Sequence, residues 1–198
     1  MHTLIVVSHP LENSLTHSVA NAIAEGIVGA GPQNTLEIAD LTREGFNPTF
    51  NAADMAAFQL TAPVPDDVAT EQARLDEADA LVLVFPIYWW TMPGLLKGWI
   101  DRVFSNGWAY EESAEGRVIK KLGHLPVHLV GLGAATQKTY QKHGFFDAYN
   151  TQIAKGIFDY CGAPVRTNAT LMLPDLGTPE ASLQAAREIG QRIAQVGG

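Results

Sequence analysis

The run Phe85 to Trp90, FPIYWW, sets Tyr88, Trp89 and Trp90 side by side directly after an apolar stretch. Neighbouring side chains on a strand face opposite ways, so three consecutive large rings cannot all enter one core. At least one must lie exposed at a turn, where it can stack on a flat molecule. A second stretch, Ser8 to Ser14 (SHPLENS), supplies hydroxyl, imidazole and amide groups just ahead of a helical pattern. A helix start offers free peptide N–H groups and the positive end of the dipole, which is the setting of an anion site. Ser14 is equally accounted for as a plain helix cap. A third stretch, Gly131-Leu132-Gly133-Ala134-Ala135, allows close approach of backbone to a ligand. The glycine fingerprints of Rossmann dinucleotide sites and of P-loops are both absent. A phosphate end joined to a flat, backbone-lined slot describes a nucleotide or a flavin.

The elements that must position these stretches follow from hydrophobic periodicity. Thr3–Ser8 and Ala80–Pro86 are continuous apolar, β-branched runs, as expected of parallel strands covered on both faces. Thr35–Leu41, Leu125–Gly133 and the segment after Ala163 supply three more strands. Between them lie helical stripes. Leu15, Val19, Ile23 and Ile27 recur every fourth residue, Val68, Gln72 and Leu75 share one face, and Leu96, Ile100 and Val103 share another. Further helices are expected over residues 52–58, 145–160 and 178–196, the last opening on Thr178-Pro179. Strand and helix alternate throughout, so the expected fold is α/β. It is a doubly wound, parallel five-stranded sheet with helices on both faces, forming a single domain over residues 1–198. Ligands of such sheets sit beyond the carboxyl ends of the strands, which is where the three chemical stretches fall.

Composition narrows the function classes. The chain of 198 residues is 46% hydrophobic and 17% charged, an ordinary globular balance. A net charge of -8 argues against nucleic-acid binding, which needs a concentrated basic surface. The small basic cluster Arg117, Lys120 and Lys121 reads as a solvated loop. The lone Cys161 excludes a disulfide framework or a Cys-rich metal site and reads as a packing residue. The N-terminal apolar run is too short for a signal peptide or membrane span, so a cytoplasmic location without membrane insertion is expected.

The stretch FPIYWWTMPGLLKGWIDRVFSNGWAY, ending at Tyr110, closely resembles the flavodoxin-like NAD(P)H:quinone oxidoreductases. This is the group of DT-diaphorase, modulator of drug activity B and the ancillary flavoproteins of glutathione-gated potassium efflux. SHPLENSLTHS resembles that family's first loop, and PDDVATEQARLDEADALVLVFP the segment before its aromatic loop. The resemblance implies a two-electron, ping-pong reductase of quinones or similar flat acceptors, using NAD(P)H and working as a homodimer. It implies FAD as cofactor, favoured by the long match; FMN is the alternative, favoured by a short region before residue 66. His9, Ser14, Leu15 and Thr16 would hold flavin phosphates. Pro86, Ile87, Tyr88, Trp89 and Trp90 would follow the flavin ring edge, with Leu132, Gly133 and Ala134 closing it. Trp90, Trp108, Tyr110 and His143 would border the substrate, Trp108 and Tyr110 reaching over from the partner subunit.

Two departures from the family stand out. Leu132-Gly133-Ala134-Ala135 replaces a Thr-Thr-Gly-Gly pattern, removing hydroxyl contacts. The catalytic Tyr matches Tyr140, but six residues on stands Phe146 in place of His; His143 is the available substitute. Trp99, Phe104 and Trp108 are more large rings than one helix face is expected to bury, a second pointer to a dimer. Two other readings are a regulatory ancillary flavoprotein of a potassium efflux system and a one-electron carrier of the flavodoxin kind.

Overall fold

The structure is a computed structural model describing residues 1–113 and 115–196; Ala114 and the last two residues of the expected 1–198 domain lie outside the described residues. Strands β1 (His2–Val7), β2 (Thr35–Asp40), β3 (Ala80–Pro86), β6 (Val127–Gly133) and β7 (Val165–Met172) form a five-stranded sheet in the order β2-β1-β3-β6-β7. Every pairing in it is parallel. The chain winds outward from β1 to β2, then crosses back to β3 and on to β6 and β7. The order therefore reverses between β1 and β3, the switch point where such sheets open a crevice.

Strand alternation divides the apolar residues between two cores. Leu4, Val6, Leu81, Leu83, Phe85 and Leu129 face one side, where Leu75 of α3 (Asp66–Asp76) and Leu96, Trp99 and Val103 of α4 (Gly94–Val103) cover them. Ile5, Val7, Val82, Val84 and Val130 face the other, under α1 (Leu15–Gly29) and α8 (Pro179–Val196). The short helix α2 (Ala52–Phe58) starts with a capping box between Asn51 and Asp54. Arg102 of α4 ties this region down, with pairs to buried Asp54 at 3.0 Å and to Asp67 at 2.5 Å, and a hydrogen bond to the Asn47 carbonyl.

The elements depart from the sequence reading in four places. Arg117, Lys120 and Lys121 were expected in a loop; Tyr110–Glu112 (β4) and Val118–Lys120 (β5) instead pair as an antiparallel two-stranded sheet. An additional helix, α5 (Gln137–His143), is capped by Thr136, whose hydroxyl accepts from the Thr139 N–H. The helix expected over 145–160 is built from α6 (Phe145–Tyr149) running into a π-helical segment, Asn150–Asp159, and a one-turn helix α7 (Leu173–Leu176) follows β7. Finally, the ring surplus does not exist. Trp99 and Phe104 are buried within one chain, Phe104 meets both Trp99 and Trp108 edge-on at 5.9 Å, and each Trp N–H has a carboxylate acceptor. These three rings therefore give no argument for a second subunit. Cys161 is buried, as a packing residue should be.

Candidate functional site

Three loops leave the carboxyl ends of β1, β3 and β6 side by side, and backbone hydrogen bonds bind them together. Ser8 N–H donates to the Val84 carbonyl at 3.2 Å, and Ile87 N–H donates to the Leu132 carbonyl at 2.8 Å. The positions of these loops are thus set by the sheet itself rather than by loop packing.

The first loop ends at Ser14, whose extended backbone and side chain cap α1. Its hydroxyl accepts from the His17 N–H and lies 2.8 Å from the His17 Nδ1, while His17 Nε2 sits 2.9 Å from Asp40 Oδ2 at the end of β2. Asp40 also accepts the N–H groups of Thr42 and Arg43 on its other oxygen, so it acts as a fixed acceptor that orients the imidazole. His9 folds over its own loop, accepting from the Leu11 N–H at 3.1 Å, and meets the His17 ring edge-on. Leu15 is half-buried and Thr16 buried in the first turn of α1. No acidic residue of α1 itself occupies that turn.

The second loop is a tight turn. Tyr88 and Thr91 exchange both backbone hydrogen bonds, which leaves the N–H groups of Trp89 and Trp90 outside the turn's own pairing. Trp89 and Trp90 take φ values of 49° and 66°, the left-handed region that side chains larger than glycine rarely adopt. Trp89 is 91% exposed, Tyr88 is 45% exposed, and Trp90 is half-buried.

The third loop carries Leu132, Gly133, Ala134 and Ala135. A methyl group on Gly133 would sit 2.6 Å from the Met172 sulfur and 3.5 Å from the Tyr140 hydroxyl. A methyl on Gly131 would sit 2.9 Å from Ile87 Cδ1. Both glycines therefore let neighbouring side chains close onto the strand end. Ile87, Trp89, Trp90, Ala134, Ala135 and Tyr140 enclose a slot of about 240 Å³. Its walls are flat rings, methyl groups and backbone, a fit for a planar heteroaromatic ring.

Tyr140 lines the slot with its ring buried. It meets Trp90 edge-on at 5.4 Å and packs against Phe146 at 4.9 Å. Burial pushes its hydroxyl above the ordinary tyrosine range, so it remains a protonated donor at neutral pH. Phe146, six residues after Tyr140, thus touches the tyrosine ring. His143 is exposed and stacks on Phe145, with ring centres 5.4 Å apart, and does not line the slot.

The remaining two residues lie elsewhere in this chain. Trp108 donates its indole N–H to Asp76 at 3.1 Å. Tyr110 packs edge-on against Tyr160 at 5.3 Å and lines a separate cavity of about 410 Å³ with Phe58, Phe104 and Ile157. Within one chain the structure joins His9 to Thr16, Pro86 to Trp90, Leu132 to Ala134 and Tyr140 at one edge of the sheet, and leaves Trp108 and Tyr110 apart from the slot. The sequence reading passed over Phe145 and His17 as site residues. Only His17 carried a local signal, three residues after a helix cap.

Comparison with known proteins bears on the fold and the family. A family model described as flavodoxin-like fold matches residues 1–193. A Haemophilus influenzae protein named as an uncharacterized NAD(P)H oxidoreductase is 31% identical over 82% of this chain and 79% of its own length. Ribosyldihydronicotinamide dehydrogenase [quinone] of Pongo abelii is 25% identical over 98% of this chain and 90% of its own. Among solved structures, an NAD(P)H:quinone oxidoreductase from Methanothermobacter marburgensis superposes with a TM-score of 0.85 at 26% identity, covering 98% of both chains.

Proposed function

Because the chain belongs to the flavodoxin-like fold family, we propose that it is a flavin-dependent NAD(P)H:quinone oxidoreductase, moving two electrons from NAD(P)H to quinones or similar flat acceptors. The observation that carries this reading is the slot of about 240 Å³ walled by Trp90, Ile87 and Tyr140, beside the open N-terminus of α1. The named activities of the relatives point the same way.

The residues fit a flavin. The start of α1, with His9, Ser14, Leu15 and Thr16, would hold the phosphate end through N–H and hydroxyl groups. The backbone from Pro86 to Trp90 would follow the ring edge on one side, and Leu132, Gly133 and Ala134 would close the other. A bound flavin supplies reversible acceptance of a hydride, chemistry that side chains alone lack. The protein contributes orientation, exclusion of water and donors. The N–H groups of Trp89 and Trp90, free of the turn's pairing, and the protonated hydroxyl of Tyr140 would be the donors available to the polar ring edge. Trp90 would be the wall on which donor and acceptor stack in turn. FAD is the proposed form, with FMN the alternative.

A homodimer completes the site in this reading. Phe50, Met55, Phe58 and Tyr160 are exposed apolar groups around the second cavity, and Tyr110 lines that same cavity. A partner docked on this face receives Tyr110 and Trp108 at its own slot. Among the described residues no helix is long and apolar enough to cross a membrane, and we place the enzyme in the cytoplasm.

The test is the absorption spectrum of the purified protein, followed by heat release and chromatography of the bound species. Flavin bands that bleach with anaerobic NAD(P)H and return with a quinone are expected, and the released species separates FAD from FMN. Protein absorption alone, unchanged after incubation with either flavin, rules the proposal out.

A further inference from the structure

Tyr88, Trp89 and Trp90 share one turn, yet only Trp90 has a built support. Phe145 lies against its ring with centres 3.8 Å apart and planes within 15°. Tyr140 braces the same ring edge-on at 5.4 Å, and meets Phe145 edge-on at 5.9 Å. His143 covers Phe145 at 5.4 Å and 26°, so the three rings run His143, Phe145, Trp90 in order. Gly144 makes that order possible. It takes φ 71° between α5 and α6, which reverses the chain sharply enough for His143 and Phe145 to stack although only one residue separates them.

Trp90 needs this support. Its backbone sits in the left-handed region, and its neighbour Trp89 is 91% exposed, so the turn itself does little to hold either ring. Trp90 lines the slot and Phe145 does not. Phe145 therefore acts on a slot ligand only through the tryptophan.

We propose that Phe145 is a positioning residue that fixes the plane of Trp90 and thereby selects broad, planar acceptors over single-ring ones. This rests on the quinone reductase reading above. Stacking energy grows with overlap area, so a fused two-ring quinone gains more from a wall held parallel than a one-ring quinone does. A tilted wall costs the broad acceptor most of that overlap and the narrow one little.

The experiment compares the holoenzyme with Phe145→Leu and Phe145→Tyr, using a naphthoquinone and a benzoquinone as acceptors. Flavin content and melting temperature are measured alongside KM and kcat. For Phe145→Leu, KM for the naphthoquinone is expected to rise roughly two- to tenfold, the range of one aromatic pair, with kcat, flavin content and the benzoquinone KM nearly unchanged. Phe145→Tyr keeps the stack and restores the wild-type ratio. Near-ultraviolet circular dichroism should lose a Trp90-dependent band in Phe145→Leu and keep it in Phe145→Tyr. An equal rise for both acceptors, an unchanged ratio, or a loss of kcat at constant KM overturns the role of Phe145 while leaving the reductase reading in place. A wild-type protein that takes up no flavin overturns both.

Discussion

Tyr88 and Thr91 hold each other through two backbone hydrogen bonds of 3.0 Å, with only Trp89 and Trp90 between them. Both intervening residues have positive φ, the pattern of a type I′ hairpin turn, where Asn-Gly is the favoured pair. Tryptophan in that region costs on the order of 1 kcal/mol per residue, and Trp89, nearly fully exposed, buries little in return within this chain. Trp89→Gly should therefore raise the urea midpoint, by a few tenths to about 1 kcal/mol of stability, at an unchanged slope. It should also lower turnover with quinones, because the slot loses part of its wall. A variant less stable than the parent would show that the turn is not strained.

Among the described glycines, the two with the least room for a methyl group predict the opposite response. Helices α1 and α8 cross at Gly26 and Gly190: a methyl on Gly190 would lie 2.1 Å from the Ile23 carbonyl oxygen, and one on Gly26 would lie 2.2 Å from that of Arg187. Backbone oxygens cannot rotate away as a side chain can, so the helices must separate. Gly190→Ala should cost about 3 kcal/mol or more, the upper end of overpacking. Gly29→Ala, with nothing within 4 Å of the new methyl, is the matched control and should be neutral or slightly stabilising. Similar melting temperatures for the two variants would contradict the crossing geometry.

The contrast between these sites marks how far the sequence could be read. β1, β3 and the body of β6 were legible because both faces of each strand are covered, which turns them into unbroken apolar runs. The three loops followed from topology, and the aromatic triplet identified one of them. The hairpin β4–β5 was not legible: each strand has three residues, mostly exposed, too few to show a period. Helix α5 buries only Tyr140, so it has no apolar stripe, and its cap Thr136 was its one signal. The stack of Phe145 on Trp90 joins segments from different strands' loops, and no local spacing encodes it. The count of Trp99, Phe104 and Trp108 as surplus rings could not foresee that carboxylates of α3, Glu71 and Asp76, accept from the two indoles inside the chain.

Arg102 offers a test of burial within a single ion-pair network. Its two carboxylate partners differ sharply: the side chain of Asp54 is 2% exposed, whereas that of Asp67 is 47% exposed. The Arg102 guanidinium holds Asp67 below the usual carboxylate value. Removing the buried partner leaves the Arg102 Nε–H facing a neutral amide, with half-exposed Asp67 as the remaining counter-charge, so Asp54→Asn should cost about 1.5–3 kcal/mol. Asp67→Asn removes a screened, half-exposed charge and should cost less than about 1 kcal/mol. Chemical denaturation of both variants measures the difference, and equal losses would mean that water reaches Asp54 as freely as Asp67.

His128 sets the acid limb of stability. It lies inside β6, buried, with Nδ1 2.9 Å from the Thr167 hydroxyl. Burial, with a smaller push from Arg166, brings its pKa down from 6.5 to about 4. The native state thus disfavours the imidazolium that the unfolded chain accepts readily. Between the two values the unfolded state binds more protons, so stability falls as the pH drops from 6.5 towards about 4 and this contribution levels off below that. The whole step amounts to at most about 3 kcal/mol. Asp67, held below its ordinary 3.8 by Arg102, loses its contribution at lower pH, so the two windows separate. His128→Gln cannot take up the proton. Its stability, measured by urea unfolding across the window, should be flatter than the parent's from pH 6.5 to 4 and parallel to it below. An equally steep limb in the variant would assign acid sensitivity to other groups and would mean that the His128 ring is hydrated in the native state.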